Sequence, residues 1–132
     1  MELTIEQTLH NAVAAHNAGK LEEAERLYRA ILQSQPAHPD ANHNLGLIAV
    51  SVNQAEAALP LFKTALEINP KIEQFWLSYI DALIKTEKFD DARQAIADAQ
   101  QAGTATAKLQ IFEVQLQSEL SPSSDKPQQE FG

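Results

Sequence analysis

An internal period of 34 residues constrains this chain more than any other feature of its sequence. A step of 34 positions leads from Ala24 to Ala58 and then to Ala92. The same step connects larger residues in two further columns, namely Tyr28, Phe62 and Ile96, and Pro36 and Pro70. In sequences with such a period, each unit is one supersecondary element that buries its apolar side only against its neighbours. The period therefore predicts three stacked repeats, residues 5–38, 39–72 and 73–106.

Each repeat is predicted to contain two helices. Apolar residues recur at steps of three and four, as in Leu21, Ala24, Tyr28 and Ile31, and this is the spacing of a helix rather than the alternation of a strand. Segments rich in Asn, Gly and Pro separate the helical stretches, because these residues favour turns and interrupt helical hydrogen bonding. The predicted helices are 4–17, 21–34, 40–52, 55–68, 72–86, 89–102 and 105–120. The chain is thus predicted to be all-α.

The pattern within the repeats resembles that of the tetratricopeptide repeat family, in which W-x2-L-G-x2-Y is followed by A-x3-F and then by P. The second half of this pattern is matched twice, by Ala24, Tyr28 and Pro36 and by Ala58, Phe62 and Pro70. The first half is matched in part, by Leu45, Gly46 and Trp76. The resemblance implies a right-handed α-solenoid of three helix-turn-helix repeats. Residues 105–120 then form a capping helix with a polar outer face, or the first half of a degenerate fourth repeat.

Several positions carry expectations of their own. Three side chains match packing columns of the family and are predicted to be buried: Tyr28, Phe62 and Trp76. Phe75 is compatible with an exposed position at the edge of a groove. Ile80 stands where the family has a small residue, which predicts a locally wider helix pair. Pro60 falls one turn inside a predicted helix, which should start late or bend there.

Composition and charge exclude several classes of protein. The 132-residue chain has no cysteine and a net charge of −8, which excludes thiol chemistry and makes nucleic acid and anionic lipid unfavourable partners. Because no apolar run is long enough to span a membrane and the N-terminus lacks a secretory pattern, we expect a cytoplasmic protein. Residues 1–120 are predicted to form the folded domain. Residues 121–132, rich in Ser and Pro, are predicted to be a disordered tail or linker.

The residues indicate neither catalysis nor a metal site. His10 and His16 are six positions apart, which does not match the i, i+4 spacing of two metal ligands on one helix. All the histidines, His10, His16, His38 and His43, are predicted to be isolated and partly exposed. The sequence has no motif that pairs a nucleophile with a base and no glycine-rich phosphate loop. We therefore expect a protein that is not an enzyme and that needs no cofactor.

The resemblance implies a binding surface on the concave side of the solenoid, which the first helix of each repeat lines in this family. The matching positions combine apolar side chains with amide, imidazole, hydroxyl and carboxylate groups: Leu9, His10, Val13, His16, Asn17, His43, Asn44, Leu47, Val50, Gln74, Ser78 and Asp81. Such a lining suits an extended peptide held partly through its backbone, or a partner helix. The implied function is the binding of a peptide or a partner protein.

One known form of this groove, the carboxylate clamp, is not matched. The clamp binds acidic chaperone tails through two Lys, one Arg and two Asn, and its positions here hold Leu9, Val13, Asn44, Gln74 and Ser78. Only Asn44 agrees, and without cations the cost of desolvating a carboxylate is not offset. Chaperone-tail binding is therefore disfavoured.

Two alternatives to peptide binding remain. The first is self-association, through the convex face or an unsealed end of the solenoid. The second is docking of a protein substrate for a fused transferase, because segments 42–46 and 75–83 are similar in texture to repeat modules that precede glycosyltransferase-like domains.

Overall fold

The computed structural model describes residues 3–104 and 107–120, and within them the secondary structure consists of α-helices joined by short turns. The helices are α1 (Ile5–Asn17), α2 (Leu21–Ser34), α3 (Pro39–Ser51), α4 (Ala55–Ile68), α5 (Glu73–Lys85), α6 (Phe89–Gln101) and α7 (Ala107–Leu120). Each begins and ends within two residues of its predicted position. The all-α prediction is confirmed. The predicted tail at 121–132 lies outside the described residues.

The helices stack in chain order into a solenoid. Each helix packs on the next one along the chain, and α5 also contacts α3 and α7, whereas the even-numbered helices form no comparable contacts with one another. The odd-numbered helices therefore form the inner layer of a curved stack and the even-numbered helices the outer layer. The core is continuous through nearest-neighbour contacts, as expected for a repeat architecture.

The turn inside each repeat has the same backbone conformation. Gly19, Asn53 and Glu87, spaced 34 residues apart, have φ angles of 80°, 65° and 61°. The residue after each of them donates its N–H to a carbonyl five residues back at 2.8 Å, in the pairs Lys20–Ala15, Gln54–Ala49 and Lys88–Leu83. This arrangement ends a helix with one left-handed residue. Glycine adopts that conformation freely and asparagine tolerates it, but Glu87 is strained there.

In each connection between repeats, a side chain at the same repeat position donates a hydrogen bond to a backbone carbonyl. Asn42 Nδ2 donates to the carbonyls of Pro36 and His38 at 3.0 and 2.9 Å. Its equivalent in the next repeat, Trp76, donates from Nε1 to the carbonyl of Pro70 at 2.6 Å. Both side chains are buried, and the predicted burial of Trp76 is confirmed. Different residues thus satisfy the same backbone carbonyl in successive repeats.

The closest packing within a repeat is between α3 and α4. Phe62 is fully buried, and a Cβ atom added to Gly46 would lie 2.4 Å from its Cε1 atom. The glycine is needed here because the aromatic ring occupies the space of a side chain. The equivalent pair in the first repeat is Ala12 with Tyr28, and both residues are fully buried. The predicted burial of Tyr28 and Phe62 is confirmed.

The third repeat fills the same space differently. Ile80 on α5 and Ile96 on α6 occupy the columns of Gly46 and Phe62, and both are buried in one cluster. Side-chain volume that is concentrated on the second helix in the earlier repeats is here divided between the two helices. The expected widening of this helix pair remains a prediction.

Pro60 lies within α4, which begins at Ala55. The predicted late start of this helix is therefore wrong, and bending at Pro60 remains a prediction. The proline is exposed, as is Glu56, whose carbonyl loses its helical donor to the proline ring. Water can reach that carbonyl, which lowers the cost of proline at this position.

The last helix, α7, differs from the predicted cap. Leu109 and Leu116 are buried against the rest of the protein, but Ile111 and Val114 are each 66% exposed, so the prediction of a polar outer face is wrong at these positions. A step of 34 places Val114 in the column of Gly46 and Ile80, which face the second helix of their own repeat. This register agrees with the alternative prediction, in which α7 is the first half of a degenerate fourth repeat, and that alternative remains a prediction.

Candidate functional site

The predicted groove residues all lie on α1, α3 and α5, three of the odd-numbered helices, and we call the inner surface of these three helices the groove face. The exposed members are His10, Asn17 and Gln74. The half-buried members are Leu9, Val13, His16, Asn44, Leu47, Val50 and Asp81. The buried members are His43 and Ser78. A ligand would therefore contact the exposed and half-buried members before the buried ones, which we call the floor of the groove face.

A concavity of about 290 Å³ lies between α3, α5 and α7 on this face. Its lining consists of Leu47, Val50, Phe62, Gln74, Leu77, Ser78, Asp81 and Phe112. We call this space the α5 concavity. It unites predicted groove residues of the second and third repeats, while the members on α1 do not line it.

Phe112 is a lining residue that the sequence analysis missed. A step of 34 leads from Ser78 to Phe112, so the signal was present in the period itself. The predicted groove was limited to the three repeats at 5–106 and therefore included no residue of α7.

A buried histidine forms the floor of the groove face. His43 is 5% exposed, and its Nε2 atom lies 2.8 Å from Ser78 Oγ. Ser78 Oγ also accepts a hydrogen bond of 3.2 Å from Gln74 Nε2. On the other side of the ring, His43 Nδ1 lies 3.3 Å from Asn44 Oδ1. The prediction of isolated, partly exposed histidines is wrong for His43, because it links two repeats through hydrogen bonds.

A second polar contact lies in the first repeat, at Tyr28. The Tyr28 hydroxyl lies 3.3 Å from His16 Nδ1. Burial raises the pKa of Tyr28, and a hydrogen bond from the Asn44 side chain acts in the opposite direction. Hydrogen-bond distances thus link Gln74, Ser78, His43 and Asn44 across the second and third repeats, and Tyr28 with His16 in the first repeat.

With a neutral His43, both Ser78 and His43 accept one hydrogen bond and donate another. With Gln74 donating to Ser78, the serine hydroxyl donates to His43 Nε2, and His43 Nδ1–H donates to the Asn44 carbonyl oxygen. The pKa of His43 is lowered chiefly by burial, against smaller opposing effects of the Asn44 hydrogen bond and the Asp40 charge. The neutral form is therefore the one that the structure favours near pH 7.

Two aromatic rings hold the His43 side chain. Its ring centroid lies 5.5 Å from that of Phe62 and 4.7 Å from that of Phe75. Phe75 is 5% exposed, so its alternative position at an exposed groove edge is wrong. His43 therefore supports the groove face from below rather than presenting its ring to solvent.

The charge on the inner helices is acidic. Within α1, α3 and α5 the acidic residues are Glu6, Asp40, Glu73 and Asp81, and the one Lys or Arg is Lys85. Lys85 Nζ donates to both carboxylate oxygens of Asp81, at 2.8 and 2.7 Å. The cation of this face is therefore already paired within its own helix.

Among residues 3–104 and 107–120, no three or more His, Asp or Glu side chains are grouped closely enough to hold a metal ion. In the same part of the chain, no helix has the length and hydropathy needed to cross a membrane.

Two family models, each described as a tetratricopeptide repeat, match residues 11–71 and 49–112. Their combined span, residues 11–112, covers the packing columns of the even-numbered helices and every groove-face residue except Leu9 and His10. The chain belongs to the tetratricopeptide repeat family. No curated protein matches its sequence significantly.

Solved structures share the fold. The first tetratricopeptide repeat domain of Spaghetti (RPAP3), bound to the HSP90 peptide SRMEEVD, has a TM-score of 0.80 at 13% identity, over 89% of this chain and 93% of that one. The Sgt2 domain from Aspergillus fumigatus has a TM-score of 0.78 at 17% identity, over 91% and 81%. A MamA structure (MSR-1) has a TM-score of 0.77 at 21% identity, over 90% and 68%. At these identities the likeness establishes the fold.

Proposed function

We propose that this protein is a non-catalytic interaction module that binds a peptide or partner protein on the groove face. The observation that carries this proposal is the α5 concavity. It places half-buried apolar side chains such as Leu47 and Val50 next to the polar groups of Gln74 and Asp81. An extended peptide uses both kinds of group, because its side chains need apolar contacts while its backbone needs hydrogen bonds.

A related fold supports the choice of a peptide ligand. The Spaghetti domain, which resembles this chain over nearly its whole length, is bound to an HSP90 peptide. The acidic character of that peptide does not suit α1, α3 and α5, because Lys85 is their one Lys or Arg and it is paired with Asp81. We therefore propose the same general mode of binding with a different class of partner.

The contact between His43 and Ser78 superficially resembles a catalytic pair, but its surroundings argue against hydrolysis. Ser78 lies in the middle of α5, so the nearby backbone N–H groups are committed to the helix and cannot stabilise an oxyanion. Both side chains are buried, which leaves little room for a substrate carbonyl. We interpret the pair as a structural link between repeats.

Selection from a random peptide library, displayed on phage and sequenced, tests the proposal. The purified 132-residue protein should enrich a related set of peptides. The double variant Leu47→Gln, Val50→Gln should lose them, because these half-buried residues line the concavity. The matched control Ile68→Gln, Ile72→Gln alters residues that are 48% and 42% exposed elsewhere and should retain binding. Equal binding by both folded variants, checked by circular dichroism, would contradict the assignment.

Self-association is a second candidate, and one observation favours it. Ile111 and Val114 expose apolar surface on α7, beside a cavity of about 590 Å³ between α6 and α7 that Ile96 and Val114 help to line. Sedimentation equilibrium should then detect a dimer that Ile111→Lys, Val114→Lys abolishes. A mass that stays monomeric at all concentrations would exclude this candidate.

The other alternative, a docking module for the substrate of a fused transferase domain, uses the same groove face. It therefore shares the peptide-selection test, and only the source of the bound peptide would differ.

A further inference from the structure

The groove face has a charge pattern that selects among peptides. Its helices carry several carboxylates and one lysine, and the whole chain has a net charge of −8. A surface of one sign attracts ligands of the other sign and repels its own. Acidic ligands are therefore disfavoured at long range, before any contact forms.

The α5 concavity combines one carboxylate with apolar walls. Leu47, Val50, Leu77 and Phe112 provide aliphatic and aromatic surface, and Asp81 lines the same space. A neutral apolar side chain placed here would remove water from Asp81 without replacing its hydrogen bonds, which is unfavourable. An arginine or lysine side chain avoids this cost, because its methylene stem contacts the apolar walls while its charged end reaches the carboxylate.

The existing partner of Asp81 does not block such a ligand. The side chains of Asp81 and Lys85 are 39% and 51% exposed, and exposed pairs four residues apart on a helix contribute little to stability. A carboxylate has lone pairs for about four hydrogen bonds, so a guanidinium group can bind while Lys85 stays or moves aside.

The spacing of the polar side chains along α5 suits a peptide residue with a long basic side chain. Gln74 and Asp81 both line the concavity, and their separation of seven residues corresponds to about 10 Å along the helix axis. Ser78 lies between them and is already held by His43. A peptide backbone beside Gln74 can therefore extend one long side chain towards Asp81.

We infer that the α5 concavity is a subsite for a basic side chain of the bound peptide, arginine or lysine, with Asp81 as its counter-ion. This inference rests on the proposed function and names the chemical class of its partner. The flanking contacts with Leu47, Val50 and Phe112 favour a peptide in which the basic residue is accompanied by apolar residues.

The test uses a peptide chosen by the library selection, synthesised with its arginine or lysine and in two altered forms. In one altered form citrulline replaces an arginine, or norleucine a lysine, which removes the charge at similar size. In the other, glutamate replaces the basic residue. Affinities are measured by isothermal titration calorimetry for the parent protein, for Asp81→Asn and for Lys85→Ala.

We expect Asp81→Asn to weaken the basic peptide about tenfold and to leave the neutral peptide unchanged. Lys85→Ala should strengthen the basic peptide, since it removes a competing cation. The matched control is Glu56→Gln, which neutralises another exposed, ion-paired carboxylate, 3.3 Å from Lys88 and outside the concavity. It should change the affinity by less than about twofold.

The outcomes separate this inference from the proposed function. Enrichment of acidic or wholly apolar peptides, or equal losses with the basic and neutral peptides on Asp81→Asn, would overturn the inference. Binding that still requires Leu47 and Val50 would at the same time uphold the groove face as the binding surface. Failure to select any peptide that depends on Leu47 and Val50 would overturn both.

Discussion

The helix pairs α3–α4 and α5–α6 form the same unit with different residues. In α3–α4 a glycine faces a phenylalanine, an asparagine fastens the preceding connection, and Asn53 adopts the left-handed turn. In α5–α6 an isoleucine faces an isoleucine, Trp76 supplies the fastening, and Glu87 adopts the turn. The two units thus share a packed pair between their helices, a side-chain donor and a left-handed turn residue, although the residue types differ.

Substitution of Gly46 should cause the largest loss of stability. In Gly46→Ile, the residue of the third repeat is placed opposite Phe62, whose ring already lies within 2.4 Å of the new Cβ position. We expect a loss of about 3 kcal/mol in the free energy of unfolding, measured by urea denaturation. The double variant Gly46→Ile, Phe62→Ile recreates the third-repeat pair and should recover at least half of that loss. No recovery would show that the two pairs are not equivalent.

The pH dependence of stability should distinguish the second repeat from its neighbours, because His43 is titratable and the equivalent residues, Leu9 and Leu77, are not. The pKa of folded His43 lies below its ordinary value, mainly because of burial. As pH falls below about 6.5 the unfolded chain therefore binds the proton first, so stability is lost on acidification and is complete above that pH. His43→Leu should show a shallower decline of the melting temperature between pH 7.5 and 5. Parallel curves for the two proteins would contradict this.

Substitution to glycine at the left-handed turn residues should have a smaller effect on stability, and this effect should be an increase. Glu87→Gly relieves a left-handed residue with a φ of 61° and should stabilise the protein by about 1 kcal/mol. Asn53→Gly should gain only about 0.3 kcal/mol, because asparagine tolerates this conformation. Gly19→Ala is the reverse control. Its Cβ would meet no atom within 4 Å, so any loss on chemical denaturation reports backbone strain alone.

The ion pair that joins the two units should matter least. Lys88 in the turn before α6 and Glu56 on α4 are 3.3 Å apart, with side chains 38% and 71% exposed. Glu56→Gln should cost less than about 0.5 kcal/mol, and 1 M salt should erase the difference. A larger loss that persists in salt would mean that the pair is more than a surface contact.

The period made most of the fold predictable. Columns such as Ala58 and Phe62 identify helix faces, and glycine and proline positions fix the turns to within two residues. These signals are local, and every repeat supplies them again. Even in the incomplete third repeat, α5 and α6 begin and end within two residues of their predicted positions, although Ile80 and Ile96 depart from the pattern.

The candidate site was less predictable, because its contacts join side chains from different repeats. His43 and Ser78 are 35 residues apart, and their hydrogen bond depends on rotamers and helix stacking that no local pattern specifies. One signal was present, since His43 stands in a column that holds leucine in both neighbouring repeats. A single polar residue in an apolar column indicates a buried hydrogen bond more often than an exposed ring.

The register of α7 bears on how a protein of this kind changes in length during evolution. Packing between successive helices does not determine the number of repeats, because each interface involves only adjacent helices. Because Val114 occupies the position that faces a second helix in the earlier repeats, duplication of a unit at this end would bury existing apolar surface without disturbing any earlier contact. The exposed side of α7 can thus receive a further helix without a change in any earlier interface.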